Sequence, residues 1–244
     1  MKTRQEIKAH AREALSYQRN TAIFIVLVIT LLSFALGILD TALDAAVGAP
    51  IFWVVSIVGG LFTLVLGVNV YGQFINIYMH RPASVGAVFT QLGVNFWRKL
   101  GGNLWMALWL MLWTLLLIIP GIVKSFAYYF TPNILADCPN VTATNALKIS
   151  MRITQGYKLD VFIFALSWIG WMILSVLTLG ILYIVYVGPY WYTADAGLYV
   201  ELRNKALADG RITPADLGWQ DDRPPPFAPG SPPRQLEMRD DYIM

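Results

Sequence analysis

Polar residues are rare inside the long apolar stretches of this chain. Asn69, Gln73 and Asn76 stand at i, i+4 and i+7, a spacing that places all three on one face of a helix. Asn103, Asn133 and Asp195 complete the set, each within or at the edge of another uncharged run. In a bilayer, carboxamides cross-link helices by hydrogen bonds, and an ionisable group faces a cavity or a partner because burying its charge in lipid is costly. The set therefore admits two kinds of chemistry. One is a polar vestibule whose binding residues are Asn69, Gln73, Asn76, Asn133 and Asp195. The other is interhelical hydrogen bonding that holds a bundle together, worth about 0.6 kcal/mol per contact.

Other chemistry lacks its residues. The single Cys138 cannot form an intramolecular disulfide or a Cys-based metal site. His10 and His80 lie in separate polar segments, and no carboxylate-rich set accompanies them, so no metal site and no cofactor is expected. There is no Ser-His-Asp arrangement, no His-Glu-x-x-His, no Gly-rich phosphate loop and no pair of carboxylates within the apolar stretches. The expectation is a protein that is not an enzyme. Nucleic acid is not an expected partner either, because lipid headgroups account for the basic loops.

The elements that must carry these residues are transmembrane helices. Of 244 residues, 57% are hydrophobic and 14% charged, with mean hydropathy +0.54. A soluble domain usually has about 25% charged residues, so an ordinary cytosolic enzyme is excluded. The 14% aromatic content suits a chain with many residues at a membrane–water boundary. Spanning helices of about 20 apolar residues are read over residues 20–39, 51–78, 101–119, 122–136, 161–178 and 181–200. The first is too long for a signal-peptide core and is read as a retained helix. The alternative for the third and fourth is one bent helix, giving five spans. Six spans with both termini cytoplasmic leave every Lys and Arg except Lys124 on the inner side, as the positive-inside rule requires. In that topology the polar set falls in the cytoplasmic half, where Gln73 and Asn76 match the depth of Asp195.

A basic amphipathic stretch precedes each pair of spans, over residues 4–19, 83–99 and 142–156. Such helices lie along the interface with basic faces toward anionic headgroups. Thr142 is an N-cap and Gly156 a terminator for the third. The fold class is thus all-α: a polytopic transmembrane bundle over residues 1–202 with interfacial helices. Residues 208–244, with Pro-rich sequence after Arg223, read as a disordered cytoplasmic tail. Trp105, Trp109 and Trp113 share a helix face, as either a packing or lipid-facing stripe or an aromatic cage for a cation.

Structural motifs fill the second half. Pro120-Gly121 ends a helix, and Lys124 anchors the next span by snorkelling to the outer surface. The run Leu117-Ile-Ile-Pro-Gly-Ile-Val-Lys124, then Ile134-Leu-Ala-Asp137, Gly170-Trp171, Leu177-Thr-Leu-Gly180 and Pro189-Tyr190, resembles the signature of a bacterial integral-membrane family catalogued as domain of unknown function nine-seven-five. The resemblance covers residues 1–202 and is strongest over 113–202. That family is similar in style to the membrane regions of some glycerophosphodiester phosphodiesterases. It implies a six-helix membrane fold in the bacterial cytoplasmic membrane, with Pro120, Gly121, Lys124, Asp137, Gly170, Trp171, Gly180 and Pro189 as structural positions. It implies no catalytic residue or substrate.

Two functions follow as expectations. The first is a non-enzymatic scaffold, accessory or receptor-like module, contacting anionic lipid and either a membrane-protein partner or a second copy. The alternative is a small-molecule or lipid transporter built on the cytoplasm-facing vestibule.

Overall fold

The computed structural model describes residues 3–47 and 49–219, the side chains of residues 43–52 excepted. Among the described residues the architecture is all-α, with no strand. Three helical stretches are long and apolar enough to cross a membrane: Arg19–Ala42, Trp53–Tyr78 and Lys158–Leu177.

The first helix, α1 (Arg4–Tyr17), starts with a capping box in which Thr3 and Glu6 each accept the other's backbone N–H. It does not lie free on a surface. Ile7, Ala11 and Ala14 are buried, Lys8 Nζ sits 4.6 Å above the Trp168 ring, and the Arg12 guanidinium is 5.5 Å from the Tyr190 ring. Two long helices follow, α2 (Arg19–Val47) and α3 (Ala49–Tyr78). At 1.5 Å per residue the 30 residues of α3 reach about 45 Å, more than the ~30 Å hydrocarbon core of a bilayer.

The second basic stretch departs from expectation. It is a short helix, α4 (Val85–Thr90), separated from α5 (Phe96–Leu116) by Asn95 in the left-handed region at φ 54°. Its two basic residues, Arg98 and Lys99, turn into the protein because backbone carbonyls and a carboxamide there accept their hydrogen bonds.

Leu117, extended at φ −160°, ends α5, and α6 (Ile118–Tyr128) folds back along it. The reversal thus comes three residues before Pro120. Pro120 occupies the first turn of α6, where its missing N–H would have no intrahelical partner. Gly121 permits the close return, since a Cβ there would lie 2.9 Å from the Thr114 Cα. Residues 122–136 are not one helix. After α6 the chain kinks at Tyr129-Phe130 and continues as α7 (Thr131–Asp137). Backbone groups exposed by a break in an apolar setting need partners, and α8 (Ala143–Ile153) provides them. Phe130 N donates to Ser150 Oγ at 3.2 Å, and Ser150 Oγ donates to the Ala127 carbonyl at 2.9 Å. Thr142 caps α8, and Gly156 at φ 83° follows it.

The stretch expected over 161–178 is α9 (Lys158–Leu166) and α10 (Ile169–Leu177), with a break at Ser167-Trp168. Leu179 and Gly180, both at positive φ, turn the chain. A π-helical turn, Tyr183–Val187, then leads into α11 (Gly188–Ala208), with Pro189 in its first turn. From Thr193 to Val200 every residue of α11 is buried, so it is a core helix rather than a lipid-facing one.

The tail boundary also moves. Residues 209–219 return across α8 as a strap, because Arg211 donates to the Arg152, Ile153 and Gln155 carbonyls at 2.9, 3.2 and 2.9 Å. Those are groups that a helix end leaves open. Ile212 and Leu217 of the strap are buried in the core, so the segment through residue 219 is anchored to the bundle. The Pro-rich run lies outside the described residues.

Exposed large apolar side chains are distributed unevenly. They run from Phe24 to Leu39 on α2, from Trp53 to Leu64 on α3, along α5 and α6 from Leu104 to Val123, and along α9 and α10. The later half of α3, from Val65 on, joins α7 and α11 in a closed core.

Candidate functional site

The polar residues separate into three clusters at the closed end of the bundle. In the first, α3 grips the α4 segment and the start of α5. Asn69 Nδ2 donates to the Val88 carbonyl at 2.8 Å, while its Oδ1 accepts from Lys99 Nζ at 2.6 Å. Lys99 Nζ also donates to the Gln91 carbonyl at 2.9 Å, and Gln73 Oε1 accepts from Ser84 N at 3.2 Å. Burial, then the neighbouring Arg98 charge, pulls the Lys99 ammonium below the usual lysine range. Asn103 bonds within its own helix, to the Lys99 carbonyl at 3.0 Å. Asn76 is half-buried, and its carbonyl closes the end of α3 by accepting from Arg81 N at 2.8 Å.

The second cluster surrounds Asp195, which is 1% exposed. Its hydrogen-bond partners are not on α3. Tyr129 OH donates to Asp195 Oδ1 at 2.7 Å, and Asn133 Nδ2 lies 3.4 Å from Oδ2. Asn133 Oδ1 is buried without a partner. The Tyr71 and Tyr192 rings make an edge contact at 5.6 Å, and Tyr192 stacks on Phe74 at 4.9 Å. The face shared by Asn69, Gln73 and Asn76 is thus used on the α4–α5 side, whereas Asp195 and Asn133 join α11 to α7.

Arg203 forms the third. It is 0% exposed on α11 and ion-paired with Asp137 at the end of α7. Tyr199 OH donates to the same Asp137 oxygen at 2.9 Å. The guanidinium lies 5.4 Å from the Tyr199 ring and 5.2 Å from the Trp219 ring. Burial opposes its charge, but the Asp137 carboxylate outweighs that and holds it above the ordinary arginine range. Cys138 is buried alongside, its thiol pushed up by desolvation and by Asp137. Arg98 closes the same helix end by donating to the Leu135, Cys138 and Val141 carbonyls at 2.5, 3.2 and 2.9 Å. A cation there also suits the negative end of the α7 dipole.

The remaining motif residues have local roles. Lys124 Nζ is 4.8 Å from the Trp113 ring and 5.8 Å from Tyr128, so a side chain of the protein itself occupies that aromatic surface. Trp105 and Trp109 meet edge to face at 5.8 Å. Trp171 contacts Tyr186 at 5.6 Å, while a Cβ on Gly170 would meet open space. His10 and His80, distant in sequence, stack at 5.4 Å and join α1 to the end of α3. Among the described residues no group of three or more His, Cys, Asp or Glu is placed to hold a metal ion.

Residues 103–206 match the family described as "Protein of unknown function (DUF975)". The match includes Asn103, Tyr129, Asn133, Asp137, Asp195, Tyr199 and Arg203, and leaves out Asn69, Tyr71, Gln73, Arg98, Lys99 and Trp219. No curated protein and no solved structure matches the chain. Chemically, the clusters fasten α3 to α4 and α5, and α11 to α7.

Sequence reasoning missed Tyr129, Arg98, Lys99, Tyr199 and Arg203. A signal existed for Arg203, which follows Tyr199 and Asp195 by one and two turns on the same helix. Arg98 and Lys99 carried none, because the same two residues also suit a solvated interface.

Proposed function

We propose that the chain is a six-span integral membrane protein of the bacterial cytoplasmic membrane, with both termini cytoplasmic. It acts as a non-enzymatic scaffold, accessory or receptor-like module. In this reading the exposed apolar surfaces of α2, α3, α5, α6, α9 and α10 contact lipid, and the closed end lies on the cytoplasmic side. The observation that carries it is the use of the polar residues. Asn69, Gln73 and Asp195 are each 1–2% exposed and bonded to other helices or connectors, which suits a framework better than an open vestibule. The basic residues support the orientation, since Arg98, Lys99, Arg203 and Arg211 make contacts at or beside the closed end.

Native mass spectrometry of the gently extracted protein tests the functional class. A scaffold or accessory module retains a protein subunit, a second copy of itself or lipid. Stoichiometric retention of a small polar solute that dissociates in Asp195→Asn would overturn the reading in favour of transport.

A further inference from the structure

A cleft of about 300 Å³ opens between α8, the turn before it and the 3₁₀ turn Ala215–Leu217. Its lining includes Asn140, Thr142, Asn145, Lys148, Arg152 and Asp216, two cations against one anion. Lys148 and Arg152 stand at i and i+4 on the outer face of α8, whose inner face buries Ala146, Ile149 and Ile153. Among the described residues Lys148 has no hydrogen-bond or ion-pair partner. Arg152 meets Asp216 at 3.5 Å, a long contact between half-exposed groups. Asp216 does not depend on it, because Thr213 N and Thr213 Oγ1 donate to the other side of that carboxylate at 2.8 and 3.0 Å. Arg152 can therefore turn to a ligand without stranding Asp216. The far wall is fixed, since Arg211 ties the strap to carbonyls at the end of α8 and Leu217 of the strap is buried.

We propose that this cleft binds a phosphate group, carried either by a lipid headgroup or by a small soluble phosphate. A phosphate has enough acceptor oxygens and charge to engage the Lys148 ammonium, the Arg152 guanidinium and the Asn145 amide together. The volume is at the small end of ligand pockets, room for a phosphate and a short substituent. The site is a property of α8 and the strap. It stands whether or not the six-span topology is right.

The test uses the full-length protein. In detergent, inorganic phosphate is titrated against chloride at matched ionic strength, with melting temperature and calorimetric heat as readouts. In parallel, the protein is placed in phosphatidylcholine nanodiscs with or without phosphatidic acid, and headgroup retention is read by native mass spectrometry. Saturable stabilisation by phosphate, or selective retention of phosphatidic acid, is expected of the wild type. The double variant Lys148→Gln/Arg152→Gln should weaken the response on the order of tenfold or more, as befits lost charge-assisted hydrogen bonds. Asp216→Asn, which removes the competing anion, should strengthen it. A response in both arms, with phosphate displacing the lipid, assigns a site open to soluble phosphate; a response confined to nanodiscs assigns the headgroup. The inference is overturned if the wild type responds in neither arm. It is equally overturned if the double variant, with its ligand-free melting temperature unchanged, responds like the wild type.

Discussion

Removing the Arg203 guanidinium should be among the most damaging single changes in the chain. Arg203 is wholly enclosed and paired with Asp137, whose side chain is only 10% exposed. In Arg203→Met the carboxylate keeps the Tyr199 hydroxyl but loses its counter-charge. Breaking a buried pair from one side costs about 3–5 kcal/mol, because the remaining charge stays desolvated. For a chain of this size each kcal/mol lowers the melting temperature by roughly 2–4 °C, so the loss should be roughly 6–20 °C. Asp137→Asn should also cost stability, since the guanidinium loses the carboxylate that faces it. The double variant Asp137→Asn/Arg203→Met should recover most of the loss, since the new amide still accepts from Tyr199 and no charge remains buried. Thermal unfolding of the four proteins in one detergent gives the cycle directly. A loss under about 1 kcal/mol for Arg203→Met is what an exposed pair would give, and it would refute the enclosed-pair argument.

Asp195→Leu strands the Tyr129 hydroxyl and the Asn133 amide and should cost about 1–3 kcal/mol. Asp195→Asn keeps an acceptor for Tyr129 and should melt near the wild type; equal losses in the two variants would contradict the geometry. Lys99→Met leaves Asn69 Oδ1 without its donor and should also cost about 1–3 kcal/mol, with much of it recovered in Lys99→Met/Asn69→Leu. The strap should loosen in acid. Bonding from the Thr213 backbone, with Arg152 adding to it, holds Asp216 below the usual carboxylate range. Its contribution is therefore complete above pH ~4 and lost as pH falls through the lowered value. Hydrogen exchange over residues 209–219 should rise in that acid window in the wild type and be independent of pH there in Asp216→Asn.

Some of this arrangement is written in local sequence. Thr142 and Gly156 mark the ends of α8 because a capping hydroxyl and a positive-φ glycine act within a few residues of themselves. The reversal near Pro120-Gly121 is legible for a related reason, although the chain turns at Leu117 and uses the proline in the next first turn. Partners are harder. The i, i+4, i+7 spacing of Asn69, Gln73 and Asn76 identifies a face, but a face does not name the helix opposite, and depth matching pairs Gln73 with Asp195 where the structure gives it the Ser84 N–H. The break at Tyr129-Phe130 depends on Ser150, twenty residues on, supplying a hydroxyl to the opened backbone. The stacking of His10 on His80 arises only when α1 docks beside the end of α3. Basic residues misled most, since a positive charge near a span end suits a headgroup and a helix C-terminus equally.

In the proposed orientation the closed end faces the cytoplasm and the connection between α2 and α3 faces out. Cys138 cannot report this, because it is fully buried and burial keeps its thiol protonated. The measurement therefore starts from Cys138→Ser, with one cysteine introduced at an exposed position at each end: Thr41→Cys on α2 and Gln155→Cys after α8. A membrane-impermeant maleimide added to intact cells should label position 41 and spare position 155, with permeabilisation exposing 155. Labelling at 155 in intact cells, or protection of 41 there with labelling after permeabilisation, would contradict the account.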